Sequence, residues 1–210
     1  IRELANKLLK NPESISLAIS KPAEGITQSA YMCHDSQKVS LVREILREKG
    51  KNLSHVLIFA SSIKSVKEIK KTLNKAGMRA SEMHSGLDQS EREETIRDFK
   101  NKKIKILVAT DILSRGIDIQ EIELVINYEV PHDAEDYVHR IGRTARADRT
   151  GEAITFINPR QVRNFLDIEK LIEKEVPKVD LPNGFEKAPE YNIQSKNKKK
   201  KKWRNFKSKK

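Results

Sequence analysis

The sequence predicts an α/β domain: a parallel β-sheet with helices packed on both of its faces. Three observations predict it. Short β-rich runs alternate with helical periodicity along most of the chain. Several of those runs are apolar throughout, as strands buried on both faces must be. Serines and glycines that suit helix ends stand between the two kinds of segment.

Residues 15–19 and 27–33 are rich in strand-forming types. A helix is expected over 38–48, with Val39, Leu41, Val42, Ile45 and Leu46 at helical spacing. Residues 55–60, His-Val-Leu-Ile-Phe-Ala, form a continuous buried strand. Ser61 or Ser62 suits the cap of the next helix, which Gly77 ends after Ala76. A strand over 78–83 and a helix over 89–100 follow, then buried strands over 104–109 and 124–128. Asp133 starts a further helix, 152–157 returns to strand, and a helix over 161–175 closes the fold. The first 20 or so residues and everything after Val176 read as peripheral, with Pro177, Pro182, Gly184 and Pro189 marking a linker.

The chain has 210 residues and a formal charge of +12. Ten basic residues and no acidic ones lie in 196–210, which leaves only +2 on residues 1–195. The excess calls for a polyanionic partner, met by a disordered arm and not by a fixed groove. Cys33 is the only cysteine, which excludes a disulfide framework and a cysteine metal cluster and fits a reducing cytoplasm. No apolar run approaches the roughly 18 residues of a membrane helix, and no signal peptide is recognisable, so no membrane partner is expected. Opening on Ile1 without a methionine, the chain is expected to be a piece of something longer.

Two stretches carry the chemistry. Residues 139–146 read His-Arg-Ile-Gly-Arg-Thr-Ala-Arg. On a continuous helix, His139, Arg143 and Arg146 share one stripe, and Ala134, Val138, Ile141 and Ala145 share another, roughly 135° away. One side then docks on the core while two guanidiniums and an imidazole face a common target. Arginine suits phosphate because its planar fork grips two oxygens at once. The same spacing also describes a solvated basic face. Residues 110–119, Thr-Asp-Ile-Leu-Ser-Arg-Gly-Ile-Asp-Ile, follow a predicted strand. A hydroxyl, a glycine, an arginine and backbone amides there suit a sugar-phosphate backbone, and Asp118 suits a ribose hydroxyl. A plain loop with Asp111 as a helix cap is the alternative.

Together, Thr110-Asp111…Arg115-Gly116-Ile117-Asp118 and the run from Tyr137 to Arg146 resemble motifs V and VI of the DEAD-box RNA helicases. The run from Val56 to Ser61 resembles motif IV, and His84 through Gln89-Ser-Glu-Arg92 the segment with the Gln-x-x-Arg pair. Asn127-Tyr128-Glu129-Val130-Pro131 is similar to the bacterial RNA helicase E-like subgroup. The resemblance covers roughly residues 25–175. No Gly-x-x-x-x-Gly-Lys-Ser/Thr loop and no Asp-Glu-Ala-Asp occurs in the chain. In the family those belong to the first of two RecA-like domains, so the resemblance implies the second. Residues 1–24 then correspond to the end of the first domain and the connector, 25–176 to the second domain, and 177–210 to a linker and a lysine-rich RNA-binding tail.

The resemblance also implies roles. Arg143 and Arg146 match arginine fingers that reach the γ-phosphate of ATP, and His139 and Arg140 match members of the interdomain network, with a local salt bridge as the alternative for Arg140. Asp118 matches the ribose contact and Arg115 a link between the ATP and RNA sites. Thr110, Gly116 and Arg92 match contacts to the RNA backbone, and Ser61 and Ser85 stand in loops of the same RNA-binding edge. An exposed partner of a helix-surface glutamate such as Glu91 is the alternative for Arg92. Ser85, Glu129 and Ala145 depart from the residues most frequent in the family. ATP is the implied cofactor, with Mg²⁺ held mainly by the absent first domain, and no metal site is expected in this chain. The implied partners are RNA, read through its backbone with little sequence preference, and the first RecA-like domain of the same protein. A cytoplasmic monomer is expected.

The tail mixes its ten cations with Trp203 and Phe206, a combination that suits single-stranded RNA. A solubility tail is the bland alternative. Two other functions compete: an ATP-independent RNA-binding or annealing module, and a DNA-directed helicase of superfamily 2. The first gives Arg143, Arg146 and Asp118 nothing to do.

Overall fold

The fold was taken from a computed structural model, which describes residues 25–49, 53–111, 122–144 and 150–191. The expected strand at 15–19, residues 112–121 with Arg115, Gly116 and Asp118, Arg146, and the lysine tail lie outside the described residues.

The strands are β1 (Ile26–Met32), β2 (Val56–Phe59), β3 (Ala80–Met83), β4 (Ile106–Ala109), β5 (Leu124–Asn127), β6 (Gly151–Ile157) and β7 (Lys178–Val179). The helices are α1 (Lys38–Lys49), α2 (Ile63–Lys75), α3 (Gln89–Lys100), α4 (Ala134–Ile141) and α5 (Val162–Ile172), with a 3-10 turn at Asp35–Gln37. All strand pairs are parallel, in the order β3-β4-β2-β5-β6-β1-β7.

The alternation of side chains along each strand divides the core between the two faces. Val56 and Ile58 of β2, Ile106 and Val108 of β4, and Leu124 and Ile126 of β5 pack with Leu41, Val42 and Ile45 of α1 and Val66, Ile69 and Leu73 of α2. The intervening Leu57, Phe59, Leu107, Ala109 and Val125 pack with Phe99 of α3. Under α4 and α5, Tyr137, Ile141, Phe165 and Ile168 meet Ile26, Ala30, Ala153 and Ile157. Burial from both sides is why these runs are apolar without interruption.

Local chemistry sets the ends of the helices. The Ser62 hydroxyl accepts the Ser65 N–H at 3.1 Å, so Ser62, and not Ser61, caps α2. Gly77, at φ 76°, takes the left-handed turn that follows. Asp88 and Glu91 form a reciprocal capping box on α3. The Asp133 carboxylate caps α4.

Three expectations change. α4 stops at Ile141, with Gly142 as C-cap, so Arg143 lies beyond the helix that was expected to carry it. A Cβ at Gly142 would sit 3.0 Å from the Val138 carbonyl oxygen, so glycine suits this close approach. The segment after Val176 is not a detached linker as far as 191. β7 pairs with β1, Leu181 and Phe185 pack on the α1–α2 side, and Ala188 and Tyr191 pack on the α5 side. α5 itself ends at Ile172, where Glu173 adopts φ 52°, three residues short of the expected 175.

Candidate nucleotide and RNA interface

In parallel α/β sheets, ligands bind outside the carboxyl ends of the strands. Here that edge carries Ser61 after β2, His84 to Gly86 after β3, Thr110 and Asp111 after β4, and Tyr128 to Pro131 after β5.

Arg140 ties the edge together from below. It is 2% exposed although it lies on a short surface helix. Its Nε and Nη2 donate to the two carboxylate oxygens of Asp111 at 2.7 and 2.8 Å. Its Nη1 donates to Asn127 Oδ1 at 3.3 Å and to the Glu129 carbonyl at 3.2 Å, and the guanidinium lies 5.2 Å from the centroid of Phe59. One side chain thus joins α4 to the ends of β2, β4 and β5. The salt-bridge reading of Arg140 is the one seen, with its counterion Asp111 29 residues away in sequence and the arginine closed off from solvent. Asp111 is the counterion of Arg140.

Glu129 bridges the next gap. Its carboxylate accepts the Ser61 N–H at 3.0 Å, tying the loop after β5 to the loop after β2. Burial raises its pKa, against the lowering effect of the Ser61 hydrogen bonds and of Lys38 and Arg140 nearby. On the far side of β5, Lys38 is buried and pairs with Asp35 at 2.9 Å, and Asn158 donates to Asp35 at 2.9 Å. Burial works to raise the Asp35 pKa, but the hydrogen bonds from Asn158 and Lys38 leave it lowered.

The candidate RNA-contact residues meet on the β3–β4 side. Thr110 N–H donates to the Met83 carbonyl at 3.1 Å, which sets Thr110 beside the end of β3. Arg92 Nη2 donates to the Ser85 carbonyl at 3.0 Å, and Glu91 is engaged in the capping box, so Arg92 is not its partner. His84 is buried, and its Nδ1 accepts the Gly86 N–H at 3.1 Å. Thr110 Oγ1, Arg92 Nε and His84 Nε2 are all shielded polar atoms without a hydrogen-bond partner among the described residues. His84 Nε2 lies 3.7 Å from the Glu82 carboxylate, whereas Thr110 Oγ1 and Arg92 Nε, from the loop after β4 and the first turn of α3, offer polar atoms to a ligand, because buried polar groups are ordinarily paired.

Arg143 donates from Nε to the His139 carbonyl at 3.3 Å, while the side chain of His139 is exposed. Beside Arg143, Thr144 donates to the Ile122 carbonyl at 2.5 Å and pairs with it as an isolated bridge, so the turn carrying Arg143 is anchored on both sides. No group of three or more His, Cys, Asp and Glu gathers among the described residues, and no described helix is long and apolar enough to cross a membrane.

Sequence reasoning missed the structural work of Asn127 and Lys38. Asn127 left a signal, a polar residue ending the apolar run Val125-Ile126; it also donates to Thr155 at 3.1 Å. Lys38 left none, since a lysine at the start of a helix reads as exposed.

Residues 37–148 match the family described as the helicase conserved C-terminal domain. The ATP-dependent RNA helicase DbpA of Bacillus subtilis is 34% identical over 195 residues, 91% of this chain and 40% of the relative. DeaD of Haemophilus influenzae is 36% identical over 184 residues, 87% of this chain and 30% of the relative. Among solved structures, a DEAD box protein from the hyperthermophile Methanococcus jannaschii superposes with a TM-score of 0.69 at 36% identity, over 85% of this chain and 47% of that one. Dbp5 of S. cerevisiae bound to RNA and ADP BeF3 superposes with a TM-score of 0.75 at 28% identity, over 85% and 48%. The chain therefore spans less than half the length of these relatives. It belongs to the helicase conserved C-terminal domain family, and the proteins it is similar to across that domain are DEAD-box ATP-dependent RNA helicases.

Proposed function

We propose that this chain is the second RecA-like domain of an ATP-dependent RNA helicase and supplies half of its ATP site and half of its RNA surface. The observation that supports this most is the pair of shielded polar atoms Thr110 Oγ1 and Arg92 Nε, which have no hydrogen-bond partner among the described residues at the ligand edge, in a chain matching helicase C-terminal domains. An RNA backbone offers phosphate oxygens to the arginine and 2′-hydroxyls to the threonine, and needs no base-edge reading.

In this reading Arg143 and Arg146 are arginine fingers. ATP with Mg²⁺ supplies the leaving phosphoryl group, and the two guanidiniums neutralise the charge that builds on it. Asp118 orients the ribose. His139 joins the network between the domains, Arg115 links the two ligand sites, and Gly116 lets the RNA backbone approach. Ser61 and Ser85 complete the RNA edge. Arg140 serves by positioning, since its pairing with Asp111 joins the loop bearing Thr110 to the helix that precedes Arg143. The phosphate loop and most of the metal ligation come from the first domain, whose closure against this one bends the RNA and parts short duplexes.

The test uses the protein in which this domain is joined to its first domain. Arg143→Ala and Arg146→Ala should each lower RNA-stimulated ATPase by roughly 10³ to 10⁵. Near-normal turnover in both overturns the finger assignment. RNA must stimulate turnover more than DNA does; equal or greater stimulation by DNA would make this a DNA-directed enzyme, and no stimulation an annealing module. The isolated chain is expected to hydrolyse no ATP.

A further inference from the structure

The pole opposite the ligand edge carries a feature that the helicase reading does not use. At the amino ends of β2, β3 and β4, a cavity of about 360 Å³ is lined by Leu46, Leu53, Val56, Met78 and Ile106, with Arg79, Lys102, Lys103 and Lys105 around it. A second cavity of about 530 Å³ shares Gly77, Arg79 and Lys103 with it, so the two adjoin along one grooved face. No acidic residue is among the described residues lining either part. Of the rim cations, Lys103 pairs with Asp98 at 3.1 Å. Arg79 and Lys105 are exposed, while Leu53 and Met78 are half-buried and open the floor towards solvent.

We propose that this groove docks an acidic segment of a partner protein, anchored by one or two apolar side chains. A cationic rim over an aliphatic floor complements carboxylates flanking an apolar anchor. The thioether of Met78 adapts to anchors of different shape. Single-stranded RNA is a poorer match, because its bases stack on aromatic rings and none lines the groove. The chain's own tail is excluded by charge, since its ten cations would face the cationic rim. The proposal does not depend on ATP or RNA binding at the opposite edge.

Methionine methyl NMR on the full chain tests it. The protein has three methionines; Met78 lines the groove, while Met32 and Met83 are buried elsewhere and report the integrity of the fold. The probe is a short synthetic peptide alternating aspartate with leucine and phenylalanine. The Met78 signal should shift saturably with Met32 and Met83 unmoved. Arg79→Glu and Lys105→Glu, both at exposed positions, should each weaken binding about tenfold. An all-aspartate peptide of equal charge that shifts Met78 equally well overturns the anchored docking. An oligouridylate of equal charge that competes for the groove overturns it in favour of RNA. Binding that leaves Met78 unmoved, or that both reversals leave unchanged, belongs to the lysine tail and also overturns it.

Discussion

Arg140 and Asp111 stand 29 residues apart and meet as a two-pronged pair at 2.7 and 2.8 Å, with the arginine side chain 2% exposed and the aspartate 45% exposed. The asymmetry decides what each substitution does. Asp111→Ala leaves a buried cation without its counterion and should cost about 3 kcal/mol in urea unfolding. Arg140→Lys keeps the charge but loses the fork and the Asn127 and Glu129 contacts, so it should not restore stability. A double-mutant cycle with Arg140→Ala and Asp111→Ala should show strong coupling; additive effects would mean the two side chains stabilise the fold independently.

Thr110→Val separates folding from binding. The Thr110 hydroxyl is shielded and has no hydrogen-bond partner among the described residues, so replacing it with a methyl should leave unfolding stability unchanged or raise it by up to about 1 kcal/mol. RNA affinity should fall roughly fivefold for one lost hydrogen bond. A large loss of stability would show that the hydroxyl is satisfied within the fold.

Glu129 makes its own contribution to pH dependence. Its pKa is raised in the folded protein, mainly by burial, from an ordinary value of 4.5. The folded state therefore holds the proton more tightly than the unfolded chain, and stability from this group is fully present below pH 4.5 and lost as pH rises through the folded value. Asp35 acts with the opposite sign, since its lowered pKa gives stability above 3.8 that is lost on acidification. Glu129→Gln keeps an acceptor for the Ser61 N–H. Its melting temperature relative to the parent should therefore rise as pH increases across the Glu129 window. A difference independent of pH would refute the assignment.

Ending the chain at Val176 should weaken the domain by about 3 kcal/mol, because Leu181, Phe185, Ala188 and Tyr191 would no longer cover the core. Lys178 pins this segment, with Nζ 2.5 Å from Glu169 and 5.0 Å from the Tyr191 ring centroid. Burial also raises the Tyr191 pKa to about 12, helped by Glu169. Guanidinium unfolding of chains ending at 176 and at 191 checks this; equal midpoints would show that the segment adds nothing.

Deleting 196–210 tests the tail separately. If all ten cations engage a single strand, the salt dependence of RNA binding should flatten by at most about 7 in log–log slope. An unchanged slope would remove the tail from RNA binding.

Much of this architecture was legible in the chain. The apolar runs at β2, β4 and β5 and the expected helix over 89–100 reappear because burial on both faces and a capping box are local signals. The end of α4 was misread because helical spacing continues past Gly142 in the sequence, while in the structure Gly142 is the C-cap, with its N–H on the Val138 carbonyl. The fate of 177–191 was misread because prolines mark turns equally well in a linker and in a strap over a core.

The basic motif at 139–146 and the edge to which it belongs are properties of the sequence alone, because residue types and spacing specify which groups are available to grip phosphate. Which arginine faces outwards is not. Arg140 and Arg143 look alike in the chain, three residues apart. Only the packing of α4 over β5, which brings Asp111, Asn127 and Phe59 around one guanidinium, makes Arg140 a buried strut and leaves Arg143 in the anchored turn beyond the helix. Charge and type are written in the chain, whereas desolvation depends on what other strands bring near, and desolvation separates the roles of the two arginines.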